Sequence, residues 1–228
     1  MTPRRPAALC ALLLCGTSAL VVAGCALTSK SEPIVSHYYS PERPADVDRA
    51  SIRSSGSPAE LRLGRVSSAS HIEERLVYRD SEYELGYYQE RRWTEAPEQY
   101  LKRRLARVLF EERGLRQVVG GPAATLEMEL VAFEEIRAPK RVARVQVIVR
   151  LEDQRTVRWE ETLTVDQPMA ASPVGETPAA MVAALGAALR TVVDRIADRV
   201  VTELASAPLA PVRAAAEPSR GAPKPGGG

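Results

Sequence analysis

Three successive stretches in the second half of the chain alternate apolar and polar residues with period two, the pattern of strands buried on one face. In "TLEMELVAF", residues 125–133, Leu126, Met128 and Leu130 alternate with Glu127 and Glu129. In "ARVQVIVRL", residues 143–151, Val145, Val147, Val149 and Leu151 oppose Arg144, Gln146 and Arg150. In "TVRWEETLTV", residues 156–165, Val157, Trp159, Leu163 and Val165 stand against Arg158, Glu160, Thr162 and Thr164. The connections "RAPKR" and "EDQR" are short, which predicts an antiparallel meander. Its polar second face predicts a sheet with one side toward water.

Upstream, "LRLGRV" (61–66), "RLVYRD" (75–80) and "EYELGYYQE" (82–90) predict three more strands, with Asp80-Ser81 as a turn. In the last, Tyr83, Leu85 and Tyr87 share a face, and Glu82, Glu84, Gly86 and Tyr88 the other. The pairing of these early strands is not legible from pattern alone.

Two segments change period to 3.6. Pro97 suits a first helical turn, and Leu101, Leu105, Val108 and Leu109 form one stripe before Gly114 stops the helix. A longer helix is predicted over 177–205, with Thr177 as cap and a stripe of Met181, Leu185, Leu189, Val192, Ile196 and Val200. Residues 179–189 lack charge, but that run is too short for a bilayer, which needs about 20 residues. The sum predicts a two-layer α+β domain: a mostly antiparallel sheet, with room for a mixed one, and two amphipathic helices on one face.

The N-terminus alters the picture of where this domain works. Arg4 and Arg5 precede a mostly apolar, uncharged run from Leu9 to Val22, as in a secretory signal. That run ends in Val22-Ala23-Gly24-Cys25, which resembles a bacterial lipobox. The resemblance implies cleavage before Cys25 and acylation of its thiol and new amino group, so Cys25 is an anchor in the membrane. Several acyl chains, at about 0.8 kcal/mol per buried methylene, suffice to hold a soluble domain there. Ala26 follows, where enteric lipoproteins kept at the inner membrane carry aspartate; this favours the outer membrane, facing the periplasm.

Cleavage would also remove Cys10 and Cys15, leaving no disulfide, so stability must come from a packed core. Of 31 basic residues, Arg4 and Arg5 would leave as well, which brings basic and acidic residues level at 29 each. That balance gives no reason to expect nucleic acid. Residues 206–228 are Ala, Pro and Gly with few charges, a composition that cannot bury enough surface to order itself. The expected organisation is a lipoprotein signal peptide at 1–24, a lipidated N-terminus and linker at 25–59, one domain at 60–205, and a disordered tail at 206–228.

Catalytic patterns are missing. His37 and His71 lack companions at metal-ligand spacing. The chain contains no phosphate-binding glycine loop and no nucleophile elbow. The acidic residues alternate along strands as solvent-facing positions do. No enzymatic activity, cofactor or metal is expected. Arg91, Arg92, Lys102, Arg103 and Arg104 could meet anionic lipid, but Glu95, Glu98, Glu111 and Glu112 are interleaved with them as on a solvated helix face. Tyr87, Tyr88 and Trp93 cluster just before the first helix and are candidates for a partner-binding surface; Trp93 could instead plug the strand–helix junction.

The chain resembles the ABC-type transport auxiliary lipoproteins. The likeness rests on the lipobox, on "YYSP" (Tyr38 to Pro41), and on "LVYRDSEYELGYYQERRWTEAP", where Tyr78-Arg79, Tyr83, Tyr87, Trp93 and Pro97 stand at the family's usual positions. Three strands and a closing helix follow in the family's order. The resemblance spans roughly 35–205. Here about twenty loose residues follow the tyrosine pair, where relatives pass directly into a strand, and the tail is extra.

Such proteins are outer-membrane lipoproteins that serve an inner-membrane ABC transporter and its mammalian-cell-entry-type partner protein, moving phospholipid or other hydrophobic molecules between membranes. No catalytic residues come with the family. A homo-oligomer is compatible with it. The contrasting reading is a structural or assembly lipoprotein that handles no lipid.

Overall fold

A computed structural model describes residues 35–43, 59–154, 156–169 and 178–206. The chain divides into two units at Val35/Ser36, and the folded body is the second. The expected signal segment, the expected anchor Cys25, residues 44–58 of the expected linker, the expected helix cap Thr177 and the tail beyond Ser206 lie outside the described residues.

The described residues form an α+β fold, an open mixed sheet of eight strands with two helices. The strands are β1 (His37–Tyr39), β2 (Glu60–Ser68), β3 (Arg75–Arg79), β4 (Leu85–Trp93), β5 (Arg116–Gln117), β6 (Ala124–Ile136), β7 (Val142–Glu152) and β8 (Val157–Pro168). Helix α1 is Pro97–Ala106, continued by a π-helical turn Arg107–Glu112, and α2 is Pro178–Ala205.

The meander is present as β6, β7 and β8, joined by long antiparallel ladders. Strand β6 organises everything else. One of its edges carries β7 along its whole length, and the other is shared end to end. There β2 runs parallel to Ala124–Leu130, and β3 runs parallel to Glu134–Ile136. A register shift between Leu130 and Ala132 separates these halves and changes which residues face the helices. Strand β4 folds back on β3, while β1 and β5 add parallel pairings at the margins.

Residues His37–Tyr39 fall within the stretch expected to be linker. They form β1 because their backbone adds to β4, opposite Arg91–Trp93. A three-residue strand is too short to show periodicity. Strand β4 also begins later than its alternation suggests. Asp80 donates its N–H to the Glu84 carbonyl, and the Ser81 hydroxyl accepts from the N–H groups of Tyr83 and Glu84. This local turn outcompetes the ladder and leaves Tyr83 94% exposed at the hairpin tip.

The helices cover one face of the sheet, where Val145, Val147, Val149 and Leu151 of β7 are buried. Helix α2 packs on β7 and β8, and α1 on β2 and β6. Both sequence-predicted stripes are buried as expected. In the π-helical turn, Arg113 donates to the Val108 carbonyl, five residues back, and Val108 and Leu109 both face inward. Gly114 then takes a φ of 69°, and Leu115 N–H reaches the Leu109 carbonyl at 3.0 Å to close the end.

The opposite face is polar. Arg144 grips Asp166 through two bonds of 2.7 Å, and Arg79 grips Glu134 at 2.9 and 3.3 Å, so a row of alternating charge crosses β8, β7, β6 and β3. The Arg144 guanidinium holds the Asp166 carboxyl below its usual range.

Candidate functional site

Two constructions around β4 stand out from the regular fold. The first is the segment 36–43, a strap by which the chain enters the domain. Strand β1 fixes its start, with Thr94 N–H donating to the Tyr39 carbonyl at 3.0 Å and Arg92 Nε to Ser36 Oγ at 3.2 Å. Pro41 is buried against α2 at Gly186, where the backbones approach so closely that a Cβ would collide with the Pro41 carbonyl oxygen. Glu42 is then held by Arg103 of α1 at 2.7 Å, and the same guanidinium binds Glu95 at 2.9 Å. The two carboxylates, Glu95 foremost, raise the Arg103 pKa above its ordinary value. The strap thus touches β4, α1 and α2.

Gly186→Val is expected to dislodge the strap while leaving the sheet folded. The obstacle is backbone, so relief must come from movement of residues 39–42, at a cost of about 1–3 kcal/mol. Hydrogen exchange should show faster exchange at Tyr39 and its neighbours, with β6 and β7 unchanged. Equal protection of the strap in both proteins would contradict the close approach.

The second construction surrounds Glu135. Neighbouring Glu134 and Glu135 point to opposite faces of β6, and both are buried, at 2% and 0% exposure. Glu134 answers Arg79 on the open face. Glu135 accepts short hydrogen bonds from Tyr88 Oη and Arg141 Nε, with Arg137 Nε 3.8 Å away. Above it, Arg137 lies 3.5 Å from the Tyr78 ring centre, Arg91 lies 4.1 Å from that of Tyr88, and the two tyrosines meet edge-on at 5.1 Å. Arg137 also binds Asp80 at 3.1 Å. Burial, assisted by the Glu135 carboxylate, pushes the Tyr88 hydroxyl above its usual pKa, with Arg137 opposing. The cluster welds the ends of β3, β4 and β6 together by charge-assisted bonds and ring contacts.

The three aromatics singled out by sequence do not share one surface. Tyr87 faces the open side, half-buried, with its hydroxyl donating to the His71 carbonyl at 3.2 Å and Arg75 over its ring at 4.4 Å. Tyr88 faces the helix side, within the Glu135 cluster. Trp93 is 1% exposed and packs on Phe133 at 5.1 Å and Tyr100 at 6.4 Å, plugging the junction between β4 and α1. The Tyr100 hydroxyl locks that junction, bonding Thr94 Oγ1 at 2.7 Å and Glu95 N–H at 3.1 Å. Sequence reasoning missed Glu135 and its arginines. The available signal was an acidic pair between Phe133 and Ile136, breaking the alternation of an apolar strand.

Among the described residues no group of three or more His, Cys, Asp or Glu side chains is arranged to hold a metal.

A model of the family described as ABC-type transport auxiliary lipoprotein component matches residues 43–197. No curated protein matches the chain. A solved protein from Xanthomonas campestris, classed in the family DUF330, aligns at 20% identity with a TM-score of 0.58, covering 73% of this chain and 96% of the other. An uncharacterized protein of known structure aligns at 14% identity with a TM-score of 0.57, covering 73% and 99% respectively. At these identities the two structures establish a shared fold.

Proposed function

The chain belongs to the ABC-type transport auxiliary lipoprotein component family, and on that premise we propose that it is the outer-membrane-anchored accessory of a transporter with a mammalian-cell-entry-type partner, moving phospholipid or other hydrophobic molecules between the two membranes. Membership by itself makes it a lipoprotein of the cell envelope and an auxiliary component of ABC transport. Among the described residues no helix is long and apolar enough to cross a membrane. The proposed attachment is the lipidated Cys25, which the lipobox-like Val22-Ala23-Gly24-Cys25 supports.

The observation that carries this reading is the extent of the family match. It runs from the strap through every strand from β2 to β8 and into α2, so it covers the folded body and not a local motif. The proposed role is positional and involves no catalysis. The anchor holds the body at the membrane, the sheet and helices present a rigid surface, and the ATPase of the partner supplies energy. Tyr87, on the open face, is the proposed contact of the Tyr87–Trp93 region; Tyr88 lies on the helix side within the Glu135 cluster, and Trp93 supports β4 from beneath.

The test is crosslinking of the membrane-anchored protein in its own cells, followed by mass spectrometry of captured proteins and lipid. Recovery of a mammalian-cell-entry-type protein is expected. Recovery of secretion or assembly components alone, with neither that protein nor lipid, would overturn the transport reading.

A further inference from the structure

The tip of the β3–β4 hairpin presents an aromatic ring to solvent and fixes it there. Tyr83 is 94% exposed and contributes nothing to the core. The turn that carries it is braced from below. Ser81 Oγ accepts the N–H groups of Tyr83 and Glu84, and Arg79 donates to the Glu82 carbonyl at 3.4 Å. The tip is also joined to the β6–β7 loop. Arg137 N–H donates to the Arg79 carbonyl at 3.0 Å, and its guanidinium binds Asp80 at 3.1 Å. Ala138, Pro139 and Lys140 of that loop are exposed. The two loops therefore form one end of the sheet, where β6 finishes.

A second apolar residue, Val119, is 96% exposed in the segment before β6. It stands toward the opposite end. The thirteen residues of β6 hold the two ends about 43 Å apart, so a flat membrane can take only one of them. The direction of the chain chooses between them. Strand β1 runs parallel to β4 opposite Arg91–Trp93, so the chain enters β1 from the Leu85 side, where the tip lies. From Arg91 back to Leu85 is six residues, about 20 Å. Twelve residues link Cys25 to His37, with a reach of up to about 40 Å. An anchored Cys25 can thus bring the tip to a bilayer with reach in hand. Seating the Val119 end would require the chain to reverse direction on leaving β1 and travel back alongside the strands.

We propose that the β3–β4 tip, with residues 137–141 beside it, is the face that rests on the lipid bilayer, with the Tyr83 ring seated among the headgroups. Tyrosine suits that depth because its ring is apolar while its hydroxyl stays wet. Glu82, Glu84 and Lys140 mix charge around the ring, so the contact gains little from anionic lipid and holds on neutral headgroups. Acyl chains supply attachment and Tyr83 supplies orientation, turning the Val119 end away from the membrane. The surface rests on the proposed attachment through Cys25 and goes beyond it, since a tether alone fixes no orientation.

The full acylated chain in phosphatidylcholine vesicles, with part of the lipid brominated along its chain as a short-range quencher, tests this. Cys10 and Cys15 leave with the signal and Cys25 is blocked, so one added cysteine, Glu82→Cys or Val119→Cys, takes a fluorophore. Both positions are exposed, so neither change disturbs the core. Bromolipid should quench the label at position 82 and leave that at position 119 bright. Adding Tyr83→Asp to Glu82→Cys should remove most of the quenching, and adding Tyr83→Trp should preserve it. Quenching at 119 alone, at both positions or at neither, or quenching that survives Tyr83→Asp, would each overturn the proposal. The mass of the N-terminal peptide reads the anchor separately. A peptide without acyl groups overturns the anchor and this surface with it; an acylated peptide with the wrong quenching pattern overturns the surface alone.

Discussion

Trp93→Ala is expected to lower stability by about 3–5 kcal/mol, the range for emptying a large buried aromatic site. Trp93 is 1% exposed and wedged against Phe133 of β6 and Tyr100 of α1, so its removal opens a cavity where three elements meet. The surroundings cannot close around it easily, because the Tyr100 hydroxyl is fixed to Thr94 and Glu95. A second feature sharpens the test. Trp93 Nε1 is buried without a hydrogen-bond partner among the described residues. Trp93→Phe removes that unsatisfied donor along with part of the ring, and a lone buried donor costs about 1–3 kcal/mol. The phenylalanine variant should therefore lose much less than the alanine variant. Urea unfolding with an unchanged m-value measures both. An alanine variant within 1 kcal/mol of the parent would show that Trp93 is not core, and would return it to the list of surface contacts.

Glu135→Ala should cost about 1.5–3 kcal/mol, through lost charge-assisted hydrogen bonds more than volume. The carboxylate is fully buried and is the acceptor for Tyr88 and Arg141, with Arg137 nearby. Its arginine partners are a quarter to a third exposed, so water recovers part of the solvation that the carboxylate supplied. Arg137 keeps Asp80, and Arg141 gives up its bond to the carboxylate. The double variant E135A/R141A is accordingly expected to be more stable than the sum of the two single changes. A double-mutant cycle should show coupling of at least about 0.5 kcal/mol, as for residues in one network. Strict additivity would mean that the contact contributes nothing. Loss of this cluster should also loosen the β3–β4 hairpin, whose ends it joins to β6 and on which Tyr87 is displayed.

Both experiments bear on function through rigidity. The proposed positional role requires β4, the strap and the helices to stay in fixed relation. Trp93 supports β4 from the core, the Glu135 cluster ties its beginning, and Arg103 fastens the strap to α1. Partner capture by Tyr87→Ala, which leaves these supports in place, would report on the surface itself.

The elements were legible in the sequence because each is recorded locally. Period two marks β6, β7 and β8, the short connections between them allow only an antiparallel meander, and a 3.6-residue stripe states which side of α1 and α2 is buried. The order of motifs from Tyr38 to Pro97 likewise pointed to the family whose model matches residues 43–197. What lay beyond the sequence is non-local. Alternation tells a strand which face is buried and leaves its neighbour unspecified, so nothing local could show that β2 and β3 share one edge of β6, or that β1 joins β4. The shift after Leu130 resets the phase of β6, which hides Glu135 in a place that alternation up to Phe133 does not reveal. Trp93 followed a polar run and could be read as surface; only the crossing of β4, β6 and α1 encloses it. Local chemistry determined the pieces and their greasy sides, and tertiary structure alone decided which pieces meet, because pairing energy is gained between residues the chain order keeps far apart.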